Sequence, residues 1–229
     1  MGKKSLSIDM KHEESMDVVL KLLEKADVFL ANFTQRALDD LGLTYEVAKA
    51  RNPEIIYAVC SGFGPTGPLA GKKGFDGAAQ ARGGIVSITG PDAEPVMIGD
   101  VVADTGGGVQ LALGIMTALY SRERTGKGQA VKTSLYGTQL WSQRWSLTHV
   151  GMTGAKLKRH GANAYAVAPN GAGVYKTADG KILMLMFPIV GKDSPGAFRA
   201  LCEFGGQAWA ADDPRFQVST LPLADEASR

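Results

Sequence analysis

Clustered cysteines, long apolar runs and a large net charge are all missing from this sequence. Its 229 residues include only two cysteines, Cys60 and Cys202, which lie too far apart to form a metal-ligand pattern. The formal net charge is +2, which argues against a dedicated nucleic-acid binder. No apolar run approaches the roughly 20 residues of a membrane helix. Residues 1–5 lack the apolar stretch of a signal peptide, so we expect a cytoplasmic protein that binds no membrane and no metal.

Glycine, in contrast, is abundant and unevenly distributed. The chain has 29 glycines, and they cluster between residues 62 and 128. This clustering indicates tight turns and backbone that faces a ligand, because a residue without a side chain lets another molecule come close. The hydrophobic content of 45% is normal for a globular protein.

Residues 99–120 combine an acidic residue, three glycines and an apolar segment. Asp104 ends a short apolar run, glycines follow at 106–108, and residues 109–120 are apolar almost all round. The pattern predicts a core helix that begins after the glycines, with Asp104 near its amino end. The Asp104 carboxylate is then either an ordinary N-cap or a group presented to a substrate.

The order of the elements predicts an α/β fold with a Rossmann-like parallel sheet. Short apolar or alternating runs are typical of strands, and they lie at residues 6–10, 28–31, 55–60, 85–88 and 130–135. Helical patterns between these runs favour parallel pairing, and in such sheets ligands bind at the carboxyl ends of the strands. Asn32, Phe33 and Thr34 follow one strand directly, so they either bind a ligand or form a turn or cap.

Two lysines follow a turn-rich loop at residues 61–68. Gly71 and Lys72 look like the end of a phosphate loop, but Thr66 stands where that motif needs glycine. Lys73 likewise stands where the motif needs serine or threonine. The two lysines therefore either hold an anion or are simply solvated.

Composition changes near residue 150 and predicts the domain organisation. Residues 1–150 are expected to form the large α/β domain, and residues 151–173, rich in Gly, Ala and Asn, a linker. Residues 174–229 are expected to form part of a small α+β domain. It begins with a hairpin whose turn is Asp179-Gly180.

Six short motifs occur in one order and at compatible spacing. They are Leu30-Ala31-Asn32-Phe33 with Leu41-Gly42-Leu43, Asn52-Pro53, Ser61-Gly62-Phe63-Gly64 with Thr66-Gly67-Pro68, Gly74-Phe75-Asp76, Ala103-Asp104-x-x-Gly107, and Arg124-Thr125-Gly126-Lys127-Gly128-Gln129. Together they resemble the class III CoA-transferases (the CaiB/BaiF family), which include formyl-CoA transferase, carnitine CoA-transferase and α-methylacyl-CoA racemase. The resemblance covers nearly the whole chain, although the chains of the family are longer.

The resemblance implies that Asp104 is a nucleophile. In the family this carboxylate attacks an acyl-CoA thioester, and the released thiolate converts the resulting anhydride into an aspartyl-CoA thioester. An acceptor acid then reverses these steps. Asp76 matches an acidic position close to the nucleophile, and the backbone N–H groups of Gly106 and Gly107 are expected to stabilise the oxyanions.

The resemblance also implies that coenzyme A is bound as an acyl-CoA substrate, together with a carboxylic acid. Positions that match CoA-contacting residues of the family fall into three sets: Ile8, Met10 and Lys11; Asn32, Phe33 and Thr34; and Lys72, Lys73, Gly74 and Phe75. Lysines suit the phosphates of CoA as mobile point charges. Members of the family form intertwined dimers, so a homodimer is expected.

Two alternatives to a transferase stay open. Racemases of the family exchange the α-proton of a 2-methylacyl-CoA and carry a histidine immediately before the position of Asp76. Phe75 occupies that place here, which favours the transferase. The second alternative is an inactive fragment, because residues 3–6 resemble the segment that follows the first βα unit of the family. The sequence does not identify the acyl donor or acceptor.

Overall fold

The computed structural model describes residues 2–91, 93–157, 159, 173–185 and 194–213. They belong to two compact units. The first unit comprises residues up to 84 together with residues 98–142, and the second comprises residues 85–97 and those from 143 onwards.

The first unit is an α/β layer built on a parallel sheet. Its elements are α1 (Glu13–Leu23), β1 (Val28–Ala31), α2 (Gln35–Asp40), α3 (Tyr45–Arg51), β2 (Ile56–Ser61), α4 (Asp76–Gly83), α5 (Val102–Thr125), β3 (Gln129–Ser134) and α6 (Leu135–Ser142). The strand order is β1-β2-β3, with Val28 opposite Ile56 and Ile56 opposite Gln129. Both pairs are parallel, so helical crossovers must connect the strands. The predicted α/β fold with a parallel sheet is confirmed.

The central strand β2 carries the core of this unit. Ile56, Tyr57 and Ala58 are fully buried there. The Tyr57 ring stacks on Phe29 with 4.9 Å between ring centroids, and its hydroxyl donates to the Leu43 carbonyl at 2.6 Å. Burial, with a smaller contribution from the negative charge of Asp39, raises the pKa of Tyr57 to about 12.

Threonines begin the two short helices between β1 and β2. The Thr34 hydroxyl accepts from the Ala37 N–H at 3.2 Å, and the Thr44 hydroxyl accepts from the Val47 N–H at 3.3 Å. Such N-caps satisfy backbone donors that a helix start leaves open. The caps fix where the chain leaves the end of β1.

The second unit contains a different set of elements. They are short 3-10 helices at Ile85–Ile88 and Ala208–Ala211, α7 (Arg144–Thr153), the antiparallel hairpin of β4 (Gly173–Lys176) and β5 (Ile182–Leu185), and α8 (Ser194–Phe204). Of the predicted linker, residues 151–153 belong to α7, while residues 158 and 160–172 lie outside the described part of the chain. Residues 186–193 and 214–229 of the predicted small domain also lie outside it. The predicted boundaries stay a prediction.

Two of the strands expected from the sequence are wrong. Residues 6–10 form no strand, and Leu6 is exposed, because no neighbouring strand in the described sheet pairs with this segment. Residues 85–88 form a 3-10 helix rather than a strand. Gly84, with φ of +95°, ends α4 there, and the Thr89 hydroxyl donates to the Ile85 carbonyl at 2.7 Å.

Helix α5 departs from the expected core helix in its start and in its burial. It begins at Val102, before the three glycines. One side packs on β2, β3, α4 and α6, while an apolar stripe of Val109, Leu113, Met116 and Tyr120 is 61–68% exposed. Among the described residues, α5 is the one helix long and apolar enough to cross a membrane. Core helices of soluble proteins pass the same test, so the finding is weak.

Candidate active site

Asp104 lies in the first turn of α5 with an exposed side chain. Val101 is the N-cap residue, so the interpretation of Asp104 as an ordinary N-cap is wrong. Within the described residues, no hydrogen bond or ion pair engages the Asp104 carboxylate. The carboxylate is therefore available to an incoming molecule.

The N–H groups at this end of α5 all have partners. The Asp76 Oδ1 atom accepts from the N–H of Ala103 at 2.6 Å and from the N–H of Asp104 at 3.2 Å. The N–H of Val102 donates to the Asp100 carbonyl at 3.0 Å, and that of Thr105 to the Val101 carbonyl, also at 3.0 Å. Asp76, the first residue of α4, thus supplies from another helix the cap that Val101 lacks.

A buried glutamine extends this network. Gln80, fully buried on α4, donates from Nε2 to the Asp76 Oδ2 atom at 2.6 Å and to the Asp100 carbonyl at 3.1 Å. Its Oε1 atom accepts from the Ile98 N–H at 2.9 Å. Asp76 itself is only 8% exposed. Two side chains of α4 therefore hold the segment that leads into α5.

The glycines of α5 serve helix packing in this structure. A Cβ atom on Gly106 would lie 2.7 Å from the Thr138 methyl of α6. A Cβ atom on Gly107 would lie 3.1 Å from Leu135 and 3.3 Å from the Cys60 Sγ atom. Because both glycines follow the first turn of the helix, their N–H groups face carbonyls four residues earlier. Their role as oxyanion donors stays a prediction, and this geometry disfavours it.

The three residues after β1 were expected either to bind a ligand or to form a turn or cap, and the structure separates them. Thr34 is the N-cap of α2, whereas Asn32 and Phe33 are exposed. The parallel strands end at one edge of the sheet, and α5 begins at the same edge, because it crosses back to the start of β3. Asn32 and Phe33 therefore share the carboxyl edge of the sheet with Asp104.

The segment between β2 and α4 also leaves from this edge. Gly74 approaches Gly62 so closely that a Cβ atom on Gly62 would lie 2.5 Å from the Gly74 Cα atom. This contact folds the loop back on itself just before Asp76. It leaves the side chains of Lys72, Lys73 and Phe75 exposed, with Phe75 at 74%.

The first predicted set of CoA contacts lies in the turn before α1. Met10 packs against the core cluster, Ile8 is half-buried, and Lys11 is exposed. The Lys11 N–H donates to the Asp9 carboxylate at 3.0 Å. Since α1 runs back to the start of β1, its amino end also lies at the carboxyl edge. The topology thus brings all three sets to one edge, although the described residues 2–9 form no strand.

Sequence reasoning missed Gln80 altogether. Its spacing from Asp76 is i, i+4, which places the two side chains on one face of a helix and could have indicated a hydrogen-bonded pair. The contacts of this pair with residues 98–104 join residues 18–28 positions apart in the sequence, and no local pattern predicts them. Among the described residues, no group of three or more His, Cys, Asp or Glu side chains could hold a metal ion.

Comparison with known proteins agrees with the resemblance. The profile of the family described as CoA-transferase family III matches residues 1–227. This chain belongs to CoA-transferase family III. Among relatives from the family, an acetyl-CoA:oxalate CoA-transferase from Acetobacter aceti is 37% identical over 217 residues, covering 94% of this chain and 54% of the relative. A succinyl-CoA–D-citramalate CoA-transferase from Chloroflexus aurantiacus is 36% identical, covering 94% and 52%.

The fold is also similar to solved structures of the family. The crystal structure of a CaiB/BaiF family protein from Brucella suis superposes with a TM-score of 0.75 at 35% identity. The match covers 99% of this chain and 58% of that one. This family III chain thus spans about half the length of the curated relatives it matches.

Proposed function

We propose that this chain supplies the nucleophile and part of the CoA site of an enzyme that moves CoA between carboxylic acids. The observation that carries the proposal is the Asp104 carboxylate, exposed and unpartnered among the described residues, on a helix start that Asp76 holds in place. The names of the relatives support CoA transfer as the reaction class.

The proposed reaction uses the Asp104 carboxylate twice. An Asp104 oxygen attacks the acyl-CoA carbonyl, the C–S bond breaks, and a mixed anhydride and CoA thiolate result. The thiolate then attacks the Asp104 carbonyl, which releases the donor acid with one Asp104 oxygen and leaves an aspartyl-CoA thioester. The acceptor carboxylate repeats both steps in reverse and returns one of its oxygens to Asp104. Four steps with moderate barriers thus replace one direct exchange with a high barrier.

The exposed side chains at the same sheet edge suit the remainder of CoA. Lys72 and Lys73 offer mobile ammonium groups for phosphates. Phe33 and Phe75 present exposed aromatic faces on which an adenine can stack. We assign these contacts by resemblance and by their place at the carboxyl edge.

Mass spectrometry of the intact chain tests the role of Asp104. We expect incubation with acetyl-CoA or succinyl-CoA to add a CoA or acyl group, and peptide mapping to place it on Asp104. Asp104→Asn should form no adduct. Asp100→Asn is the matched control, because Asp100 is an exposed carboxylate four residues earlier whose Oδ1 atom accepts the Val101 N–H, as an amide oxygen also can. Adduct formation by Asp104→Asn at the wild-type rate would refute the proposal.

The same incubation in deuterium oxide separates the transferase from a racemase. With a 2-methylacyl-CoA as substrate, a racemase incorporates deuterium at the α-carbon and transfers no CoA. We expect no incorporation, because Phe75 provides no acid–base group where the racemases carry histidine.

We further propose that the chain assembles as a homodimer. The apolar stripe on α5 supports this assembly, because exposed contiguous apolar surface marks interaction sites. Analytical ultracentrifugation tests it. We expect a dimer for the wild type and a monomer for Leu113→Glu, and a monomeric wild type would contradict the proposal.

A further inference from the structure

We propose that Gln80 is a positioning residue for the Asp104 nucleophile, an inference that rests on the proposed role of Asp104. Among the described residues, the side-chain hydrogen bonds of Gln80 go to Asp76, Ile98 and Asp100, and none goes to a predicted CoA contact. Its side chain instead holds both the carboxylate that caps α5 and the backbone that leads into α5.

Every hydrogen-bonding group of the Gln80 amide has a partner. A primary amide offers two N–H donors and one carbonyl acceptor. One donor reaches the Asp76 Oδ2 atom at 2.6 Å, the other reaches the Asp100 carbonyl at 3.1 Å, and the acceptor takes the Ile98 N–H at 2.9 Å. A fully buried amide that loses these partners pays for desolvation without compensation, so the arrangement has one low-energy form.

Gln80 also orients the Asp76 carboxylate. Rotation of the carboxylate would break the hydrogen bond from Gln80 to the Oδ2 atom, so this bond keeps the Oδ1 atom directed at the N–H groups of Ala103 and Asp104. The Asp104 backbone is thus held through two side chains, and Asp104 reaches the substrate through only two rotatable side-chain bonds. A shift of the helix start therefore moves the reacting carboxylate by a similar distance.

Loss of the Gln80 bonds should change the rate of attack by Asp104 rather than the binding of acyl-CoA. The predicted CoA contacts at Asn32, Phe33, Lys72 and Lys73 lie on loops to which no described side-chain hydrogen bond of Gln80 runs. Loss of the Gln80 bonds should therefore leave acyl-CoA binding intact and slow the attack by Asp104. A displacement of about 1 Å costs roughly 10²-fold in rate.

Gln80→Met tests whether the Gln80 hydrogen bonds position Asp104, because methionine has a similar length and no hydrogen-bonding amide. We expect the rate of adduct formation on Asp104 at saturating acetyl-CoA to fall about 10²-fold, with KM unchanged. The matched control is Asn52→Leu at the opposite edge of the sheet. The Asn52 amide also makes three backbone hydrogen bonds, to the carbonyls of Leu23 and Ala26 and from the Glu54 N–H. Asn52→Leu should lower stability and leave the rate per folded molecule unchanged.

Gln80→Glu adds a pH profile that a purely structural role would not produce. When protonated, the introduced carboxyl group can donate to Asp76 as the amide does; when ionised, it faces the Asp76 carboxylate and repels it. The other ionisable groups on the contacting segments are Asp100 and Asp104, with Arg82 exposed further along α4. Because burial and the neighbouring Asp76 carboxylate raise the pKa of the introduced glutamate, we expect the ratio of variant to wild-type rate to fall as the pH rises from about 5 to 8. A ratio independent of pH would contradict the proposal.

Hydrogen exchange tests the effect of Gln80 on the start of α5 without requiring any reaction at Asp104. We expect faster exchange of the amides of residues 98–104 in Gln80→Met than in the wild type or in Asn52→Leu. An adduct rate in Gln80→Met equal to that of the wild type would overturn the proposal. If the wild type forms no adduct, the proposed function fails. The positioning of a nucleophile then fails with it, and exchange still shows whether Gln80 holds the start of α5: protection of residues 98–104 is lost in Gln80→Met if it does and unchanged if it does not.

Discussion

Removal of the Asp76 carboxylate should destabilise the first unit more than removal of a surface carboxylate does. Asp76 accepts three hydrogen bonds, two from the start of α5 and one from Gln80, and it is nearly buried. Loss of a helix cap costs up to about 2 kcal/mol. A buried amide donor left without its acceptor costs about 1–3 kcal/mol more. We therefore expect Asp76→Ala to lower the free energy of unfolding by up to about 5 kcal/mol.

Asp76→Asn should give an intermediate value that identifies which bonds matter. The amide oxygen of the variant can still accept from the N–H groups of Ala103 and Asp104. Its NH₂ group, however, would face the Gln80 NH₂ group, so that bond is lost. The expected loss of one hydrogen bond to a charged group is about 1.5–3 kcal/mol.

Urea unfolding followed by circular dichroism measures these differences. The control is Asp40→Asn, whose carboxylate is 69% exposed and, within the described part of the chain, pairs only with the exposed Arg36 at 3.7 Å. Such surface pairs contribute about 0–1 kcal/mol. If Asp76→Ala and Asp40→Asn unfolded at the same urea concentration with equal slopes, Asp76 would not hold the start of α5, and the reasoning would be refuted.

Three further predictions concern packing, ionisation and CoA binding. Gly106→Ala should cost about 1–3 kcal/mol in urea unfolding, because a Cβ atom would lie 2.7 Å from a methyl carbon of α6, whereas Gly108→Ala, which meets nothing within 4 Å, should gain about 0.5–1 kcal/mol. Equal effects would show that glycine packing does not set the approach of α5. The raised pKa of Tyr57 stabilises the fold fully below pH 10, and this contribution is lost as the pH rises towards about 12, so Tyr57→Phe should flatten the alkaline part of the stability curve. An unchanged curve would contradict that assignment. The double variant Lys72→Ala/Lys73→Ala should raise KM for acetyl-CoA about tenfold with kcat unchanged, and the difference in KM should shrink in high salt. A KM equal to that of the wild type would show that neither lysine contributes to CoA binding.

Much of the first unit could be predicted from the sequence because its signals are local. A short apolar run predicted β1, a β-branched apolar run predicted β2 and an alternating run predicted β3, each within one or two residues. The start of α5 could not be predicted in this way. Three consecutive glycines are poor helix formers, yet close packing of two of them on α6 and β2 outweighs their propensity.

The candidate site shows the same division. Asp104 and the lysines carry recognisable chemistry, so the sequence could point to them, while Asp76 was indicated only by the resemblance to the family. The bonds that place them join α4 to residues 98–104, a pairing set by tertiary structure. Sequence periodicity is silent on such contacts, and Gln80 was missed for that reason.

The oxygen atoms of Asp104 give the most direct test of the central claim. If Asp104 is the nucleophile, the acceptor acid returns one of its own carboxylate oxygens to Asp104 in every turnover. We therefore expect turnover with an oxygen-18-labelled acceptor, oxalate or citramalate, to place the label in the peptide that contains Asp104, and not in that peptide from Asp104→Asn. CoA transfer that proceeds while Asp104 stays unlabelled would contradict the account.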